Sequence, residues 1–327
     1  MKYKLYPHQQ DCVDWAIERQ EKGLPYGAIF MQTGTGKSLT YLDLCMRMGW
    51  KRMLILSPPS SLDATWRNEI SKFTYYNPVI LSGPIKKRIE TLRDVYNSEN
   101  IICCTNYEAL INKDFLNALM QSKFKSCFFD ESTFAKNPKV RKSKRTAAAY
   151  KLSEVIPNRY IGSGTPAPQG PWDYFSQMKI LSDDVWGNGN YYKWETEYFY
   201  KGGFQNYQLK ITGQKLDELL DRVKQHSFTV RKQDVLKDLP DNTNIILNYH
   251  LTAEEEKVYK QMKKDFLIPF EEGVVTAAQA ATQMMKLRQI TSSFIYDEEK
   301  QVIPIGKKIG KLAILDEIRD KVGRKEK

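Results

Sequence analysis

Short apolar runs recur along the first half of the chain, and each is followed by a stretch with helical periodicity. The runs cover residues 27–31, 52–57, 101–105, 127–131 and 160–163. Apolar runs of this length separated by helical stretches predict strands buried on both faces, joined by βαβ crossovers into a parallel sheet. Turn signals such as Ser57-Pro58-Pro59, Ser82-Gly83-Pro84 and Asn137-Pro138 punctuate them. The pattern changes after residue 182. Residues 183–240 are rich in aromatics, Gly and Asn, which predicts an irregular, partly helical protrusion. Residues 241–327 hold one strand-like run, 245–251, then become strongly helical from Ala253, with a basic end, 321–327, expected to fray. The expected organisation is an α/β lobe over 1–182, a protrusion over 183–240 and a helical extension over 241–327.

Composition narrows the class. With 41% hydrophobic and 27% charged residues, the chain can bury a real core. Its longest apolar runs, such as Met53-Leu54-Ile55-Leu56, are far too short to cross a bilayer. The start, Met1-Lys2-Tyr3-Lys4-Leu5, leads into a polar segment unlike a signal peptide, so an intracellular protein without membrane contact is expected. Cys12, Cys45, Cys103, Cys104 and Cys127 form no C-x-x-C pair, and the three histidines offer no zinc spacing. Reduced, buried thiols are expected. Fifty Lys plus Arg against 39 Asp plus Glu leave a net charge of +11, which favours a polyanionic partner through long-range attraction and counterion release.

The sharpest chemical signal is Met31-Gln32-Thr33-Gly34-Thr35-Gly36-Lys37-Ser38, directly after the apolar run Ala28-Ile29-Phe30. A strand, a glycine-containing loop and a helix form the context of a phosphate-binding P-loop. Gly34 and Gly36 let the backbone turn its N–H groups inward around phosphate oxygens, and the helix start adds positive potential there. Thr33, Thr35 and the glycines would line the cradle, Lys37 would reach the β- and γ-phosphates, and Ser38 would ligate Mg²⁺. Met31 stands where the general motif has its first glycine. A second signal is Phe128-Phe129-Asp130-Glu131, an apolar strand ending in adjacent carboxylates. Asp130 would hold the Mg²⁺ shell and Glu131 would position the attacking water, as metal-assisted phosphoryl transfer requires.

A P-loop alone would also suit a kinase, but its surroundings resemble the superfamily-two helicase core, and within it the Swi/Snf translocases. Upstream, Leu5-Tyr6-Pro7-His8-Gln9-Gln10 with Trp15 resembles the family's adenine-recognition segment, which implies that the Gln9 amide faces the adenine edge. Residues 54–62 with Trp66, Glu69 and Phe73 resemble motif Ia and its helix, and Thr105-Asn106-Tyr107-Glu108 falls on another backbone-contacting motif. The resemblance thus implies nucleic-acid contacts at Ser57, Pro58, Ser60, Thr105 and Asn106. In the motif II tetrad, Thr133 replaces the family's usual histidine, and Lys136-Asn137 matches its continuation. Gly162-Ser163-Gly164-Thr165-Pro166 resembles motif III, so Ser163 and Thr165 would couple the γ-phosphate site to the nucleic-acid surface. Residues 228–240, 251–259, 287–290 and 310–312 resemble the segments that lead toward a second lobe, so the resemblance spans nearly the whole chain.

The implied fold is an α/β, RecA-like P-loop NTPase lobe with a parallel central sheet and helices on both faces, plus a helical protrusion and a helical C-terminal extension. ATP and Mg²⁺ are the implied cofactors, and DNA is the implied partner, with duplex favoured over RNA. In the family, a second RecA-like lobe supplies the arginine finger, and here it is expected in cis in a longer protein or in trans. Arg231 and Arg288 match structural segments of the family rather than the finger. Loss of such a finger costs on the order of 10³ to 10⁵ in turnover, so slow hydrolysis is expected of this chain alone. Six basic residues between 136 and 145, including Lys139 and Arg141, could track phosphates or simply face solvent. The aromatics at 191, 192, 194 and 198–200 are expected to pack within the protrusion rather than stack on bases. A non-catalytic module ordered by ATP and a P-loop kinase stay as alternatives.

Overall fold

The computed structural model describes residues 3–139, 143–187, 189–202, 208–235, 245–271, 277–297, 299, 301–306 and 310–322. It divides into two compact units, Met1–Leu239 and Pro240–Lys327. In the first unit the strands run β1 (Tyr26–Met31), β2 (Arg52–Leu56), β3 (Asn77–Ile80), β4 (Ile101–Thr105), β5 (Ser126–Asp130), β6 (Asn158–Gly162), β7 (Tyr200–Gly202), β8 (Gln208–Lys210) and β9 (Ser227–Val230). Seven of them form one sheet in the order β3-β4-β2-β5-β6-β1-β9, and every pairing in it is parallel. Strands β7 and β8 form a separate antiparallel hairpin.

The sheet is parallel because each apolar run is followed by a crossover, most often a helix, that returns the chain to the same edge. Helix α1 (Pro7–Glu21) precedes β1, and α2 (Lys37–Arg47) follows the P-loop. Strands β1, β2, β4 and β5 are buried along their whole length. Their alternate side chains feed two cores, one on each face of the sheet. One holds Ile29, Met31, Tyr41, Ile55, Trp66 and Phe128; the other holds Phe30, Leu54, Phe115, Phe129 and Phe175. All five cysteines are buried as free thiols in these layers.

The second core continues into the region expected to form a protrusion. Trp186, Trp194, Tyr198 and Phe199 are buried in the same cluster as Phe175 and Met178, with Trp194 5.0 Å from Phe175 between ring centroids. Of the aromatic group, Tyr192 and Tyr200 are exposed. Helix Tyr191–Tyr198 therefore lays its aromatic face on the sheet's outer helices, as its near three- and four-residue spacing requires.

Two strands come without a strong apolar signal in the sequence. Strand β3 contains Pro78 and is partly exposed, while β9 is short and partly polar; both sit at sheet edges, where a weak pattern suffices. The opposite error occurs at 245–251, the strand-like run of the sequence. Residues 245–250 take part in no pairing among the described residues, and Ile245 and Ile246 are exposed.

The second unit contains helices Ala253–Glu271, Ala277–Ile290 and Gly310–Val322 and an antiparallel hairpin of β10 (Phe294–Tyr296) and β11 (Val302–Pro304). A capping box opens its first helix. Glu255 N–H donates to Thr252 Oγ1 at 3.3 Å, and Thr252 N–H donates to Glu255 Oε2 at 2.8 Å. The buried Glu255 carboxylate also accepts from Ser293 and Tyr249. Of the end expected to fray, 321–327, residues 321 and 322 complete the last helix, and the remaining five lie outside the described residues.

At the outer edge of the main sheet, Arg19 ties α1 to β1 and to the two residues just before β9. It donates to Tyr26 O at 2.8 Å and Gln225 O at 3.0 Å, and approaches His226 Nδ1 at 3.3 Å. Burial, then Arg19 and Arg222, lower the His226 pKa from 6.5 to about 4. The neutral ring is thus favoured in the fold, while the unfolded chain takes up a proton below about 6.5. This contribution is fully present above pH 6.5 and is lost as pH falls toward about 4. In denaturant titrations, His226→Gln is expected to narrow the stability difference between pH 7 and pH 5 relative to the unaltered chain.

Candidate functional site

The site forms at the carboxyl ends of β1, β5 and β6, which the strand order places side by side. After Met31 the chain turns through Gly34 and Gly36, with φ of +91° and +88°, which glycine adopts without steric cost. Thr35 is buried in this turn; its hydroxyl donates to Gln32 O at 2.7 Å, and Gly36 then opens α2 in a left-handed conformation. Lys37 and Ser38 are the first residues of that helix.

Lys37 reaches across to the end of β5. Its Nζ donates to Glu131 Oε1 at 3.0 Å and lies 3.3 Å from Asp130 Oδ1. Gly162 permits this passage. A Cβ there would overlap the Phe128 ring and meet Lys37 Cδ at 3.0 Å. Glu131 has a left-handed backbone, φ +47° and ψ +55°, which a non-glycine residue adopts at a cost of about 1–2 kcal/mol. That turn brings the Glu131 carboxylate back over the P-loop. Ser163, buried at the end of β6, points its hydroxyl at Glu131 Oε2, 3.4 Å away, and also accepts from Thr165 N–H at 3.1 Å. Thr165 itself is exposed, and a Cβ on Gly164 would stand 3.2 Å from Thr33 N. P-loop, β5 end and β6 loop therefore converge on one small volume.

The two oxygens of Asp130 have different tasks. Oδ2 accepts from Ser57 Oγ at 2.8 Å and from Trp66 Nε1 at 3.1 Å, while Tyr107 OH donates to the Asp130 carbonyl at 2.8 Å. Among the described residues, Oδ1 is buried and accepts no hydrogen bond, and the Lys37 ammonium lies 3.3 Å from it. A hard divalent cation seeks such an anionic oxygen, so Asp130 Oδ1 fits Mg²⁺. On the other side, the half-buried Glu69 carboxyl lies near Ser38 and Asp130. Burial pushes the Glu69 carboxyl above its usual range; the nearby Ser38 hydroxyl opposes this, and the Asp130 charge adds to it.

Trp66 and Glu69, named above only as part of the motif Ia resemblance, are neighbours of Asp130 and Ser38. A π-turn over Leu62–Arg67 leads into the helix Asn68–Phe73, and this segment delivers Trp66 to Asp130 and Glu69 to Ser38. The i, i+3 spacing, which puts both on one helical face, was the available signal.

Several residues expected to face ligands are placed differently. Gln9 is buried: its amide donates to Thr35 O at 3.0 Å and its Oε1 accepts from Tyr6 N–H at 3.0 Å, so both ends brace the P-loop and α1. His8 lies 2.9 Å from the same Thr35 carbonyl. The side chains of Ser57, Thr105 and Asn106 point inward. Ser57 holds Asp130, Thr105 donates to Leu81 O at 3.2 Å, and Arg88 donates to Thr105 Oγ1 and Asn106 Oδ1 at 3.0 and 2.7 Å. Pro58 is half-exposed, and Ser60 and Lys139 are exposed. Within the basic run, Lys136 is bound to Asp173 at 2.9 Å and Arg145 to Glu108 at 2.7 Å, so neither is a free surface cation. Arg141 lies outside the described residues.

Fold and site together define a P-loop ATPase lobe of the RecA type. Residues 8–295 match the family model of the SNF2-related domain, and the chain belongs to that family. Among curated relatives it is 27% identical, over 73% of its length, to the SWI/SNF-related matrix-associated actin-dependent regulator of chromatin subfamily A-like protein 1 homolog of Caenorhabditis elegans. It is 22% identical, over 91% of its length, to nuclear protein STH1/NPS1 of Saccharomyces cerevisiae. The alignments cover 33% and 23% of those proteins, so the chain spans about a third or less of their length. The Sulfolobus solfataricus SWI2/SNF2 ATPase core domain shares the fold with a TM-score of 0.54 at 20% identity, covering 89% of this chain and 57% of that one. Among the described residues, no helix is long and apolar enough to cross a membrane.

The tight passage beside Gly162 yields a test. Gly162→Ala is expected to destabilise the lobe by about 1–3 kcal/mol through overpacking. It should also displace Lys37, so nucleotide affinity measured well below the unfolding transition falls as well. Unchanged values on both counts would show that Gly162 is not what admits Lys37.

Proposed function

We propose that this chain is the ATP-binding lobe of a DNA translocase of the Swi/Snf type, which couples ATP hydrolysis to movement along duplex DNA. The observation that carries the reading is the Lys37 ammonium shared by Asp130 and Glu131. It supports a site in which P-loop cation and strand-end carboxylates address one bound nucleotide. Backbone N–H groups of residues 33–38 would cradle the phosphates, and Lys37 would move from the carboxylates to the β- and γ-phosphates. Ser38 and Asp130 Oδ1 would hold Mg²⁺, which when bound supplies charge neutralisation at the transferring phosphoryl group. Freed from Lys37, Glu131 would orient the attacking water, with Ser163 steadying its second oxygen.

Nucleic acid would lie along the loop ends of the same sheet edge. Ser60, Pro58 and Lys139 are the accessible candidates there, and Ser57 links that loop to Asp130. The arginine finger would come from a second RecA-like lobe in cis or in trans.

Two experiments test this reading. The 327-residue polypeptide should bind Mg·ATP and turn it over slowly, with little stimulation by DNA. Lys37→Ala should abolish binding, and Glu131→Gln should retain binding while removing residual hydrolysis. Brisk DNA-stimulated turnover would contradict the need for a supplied finger. For DNA, Lys139→Ala should reduce the slope of log affinity against log salt by about one. An unchanged slope would remove Lys139 from the phosphate contacts.

A further inference from the structure

The triphosphate site as described has too little positive charge. Lys37 faces two carboxylates, Asp130 and Glu131. A triphosphate remains net negative even after a divalent cation neutralises part of its charge. Placing it against this cluster therefore calls for a further cation, and the P-loop N–H groups supply only partial charges.

The edge strand β9 brings one. It pairs in parallel with β1, with Val230 opposite Met31, so the chain leaves β9 at the same sheet end where the P-loop leaves β1. Two hydrogen bonds fasten the junctions together: Gln32 N–H donates to Val230 O at 3.2 Å, and Lys232 N–H donates to the Gln32 side-chain Oε1 at 2.7 Å. The Lys232 side chain then lies over the glycine turn. Its Cε and Nζ are each 3.8 Å from where a Cβ on Gly34 would stand. Among the described residues its ammonium has no carboxylate or hydrogen-bond partner.

We propose that Lys232 is a second phosphate-binding cation of the ATP site, held over the P-loop by the strand next to it. This deepens the ATP-site reading and rests on it. Two observations single out Lys232 rather than the neighbouring Arg231: its backbone is tied to a P-loop side chain, and its ammonium lies above a P-loop residue. A lysine serving only to hold β9 in place would not need its ammonium, because both fastening bonds use backbone atoms of the 230–232 segment.

The test is titration of fluorescent N-methylanthraniloyl ATP, ADP and AMP, with Mg²⁺ at low ionic strength, into the full chain and into Lys232→Ala, Lys232→Arg and Lys37→Ala. Lys232→Ala is expected to weaken ATP binding about 5- to 20-fold, in keeping with one close charge pair at a protein surface. ADP should be affected less and AMP not at all. Lys232→Arg should stay within about twofold of the original, and the salt dependence of ATP binding should flatten only in the alanine variant. Unchanged ATP affinity in Lys232→Ala, or an equal loss for all three nucleotides, overturns the proposal. Failure of the unaltered chain to bind ATP, or binding insensitive to Lys37→Ala, overturns the ATP-site reading itself and this inference with it.

Discussion

One ammonium between two carboxylates organises this protein. Lys37 can meet Asp130 and Glu131 only because α2 begins at the end of β1 while the carboxylates end β5, with β6 between them. The glycine that closes β6 clears the path, and the left-handed turn at Glu131 aims the second carboxylate. The local strain at Glu131 and the missing side chain at Gly162 serve the same requirement: opposite charges from separate strands must share one partly buried point. Such a cluster is held in place by the sheet around it, because ion pairing among partly buried groups barely offsets their desolvation.

Around that point the supports have a common origin. Ser57 and Trp66 both hold Asp130 Oδ2, so the segment from 57 to 69 grips a residue suited to Mg²⁺ and brings Glu69 near the other, Ser38. The same segment begins with the loop proposed to meet DNA. A shift of that loop on nucleic acid would act directly on the Asp130 hydrogen bonds, a short physical route between the two proposed sites. On the other side, Ser163 touches Glu131 and leads to the exposed Thr165. Each carboxylate of the pair thus has its own connection to the surface.

The P-loop and the strand-end carboxylates were legible in the sequence because their chemistry needs particular residues in consecutive positions. The buried strands were legible because burial on both faces leaves an unbroken apolar run. Edge strands β3 and β9 escaped notice, since a strand covered on one side tolerates Pro78 or Thr229. Direction of side chains was the harder matter. Ser57, Thr105 and Asn106 carry groups that suit a phosphate contact, yet hydroxyls and amides serve equally well inside, and here they close the hydrogen bonds of the strand ends. Gln9 illustrates the same ambiguity: an amide that could read adenine instead braces Thr35 and the start of α1. Lys232 was hidden because its partner, the P-loop, lies about two hundred residues earlier in the chain and meets it only through the β1–β9 pairing.

The most direct measurement is a crystal structure of the chain soaked with Mn²⁺ and a non-hydrolysable ATP analogue, with the metal located by its anomalous scattering. The account predicts one manganese peak between Ser38 and Asp130 Oδ1, the triphosphate wrapped by residues 33–38, and the Lys37 ammonium moved from the carboxylates onto phosphate oxygens. Manganese or nucleotide bound elsewhere, with Lys37 still paired to Asp130 and Glu131, would contradict it.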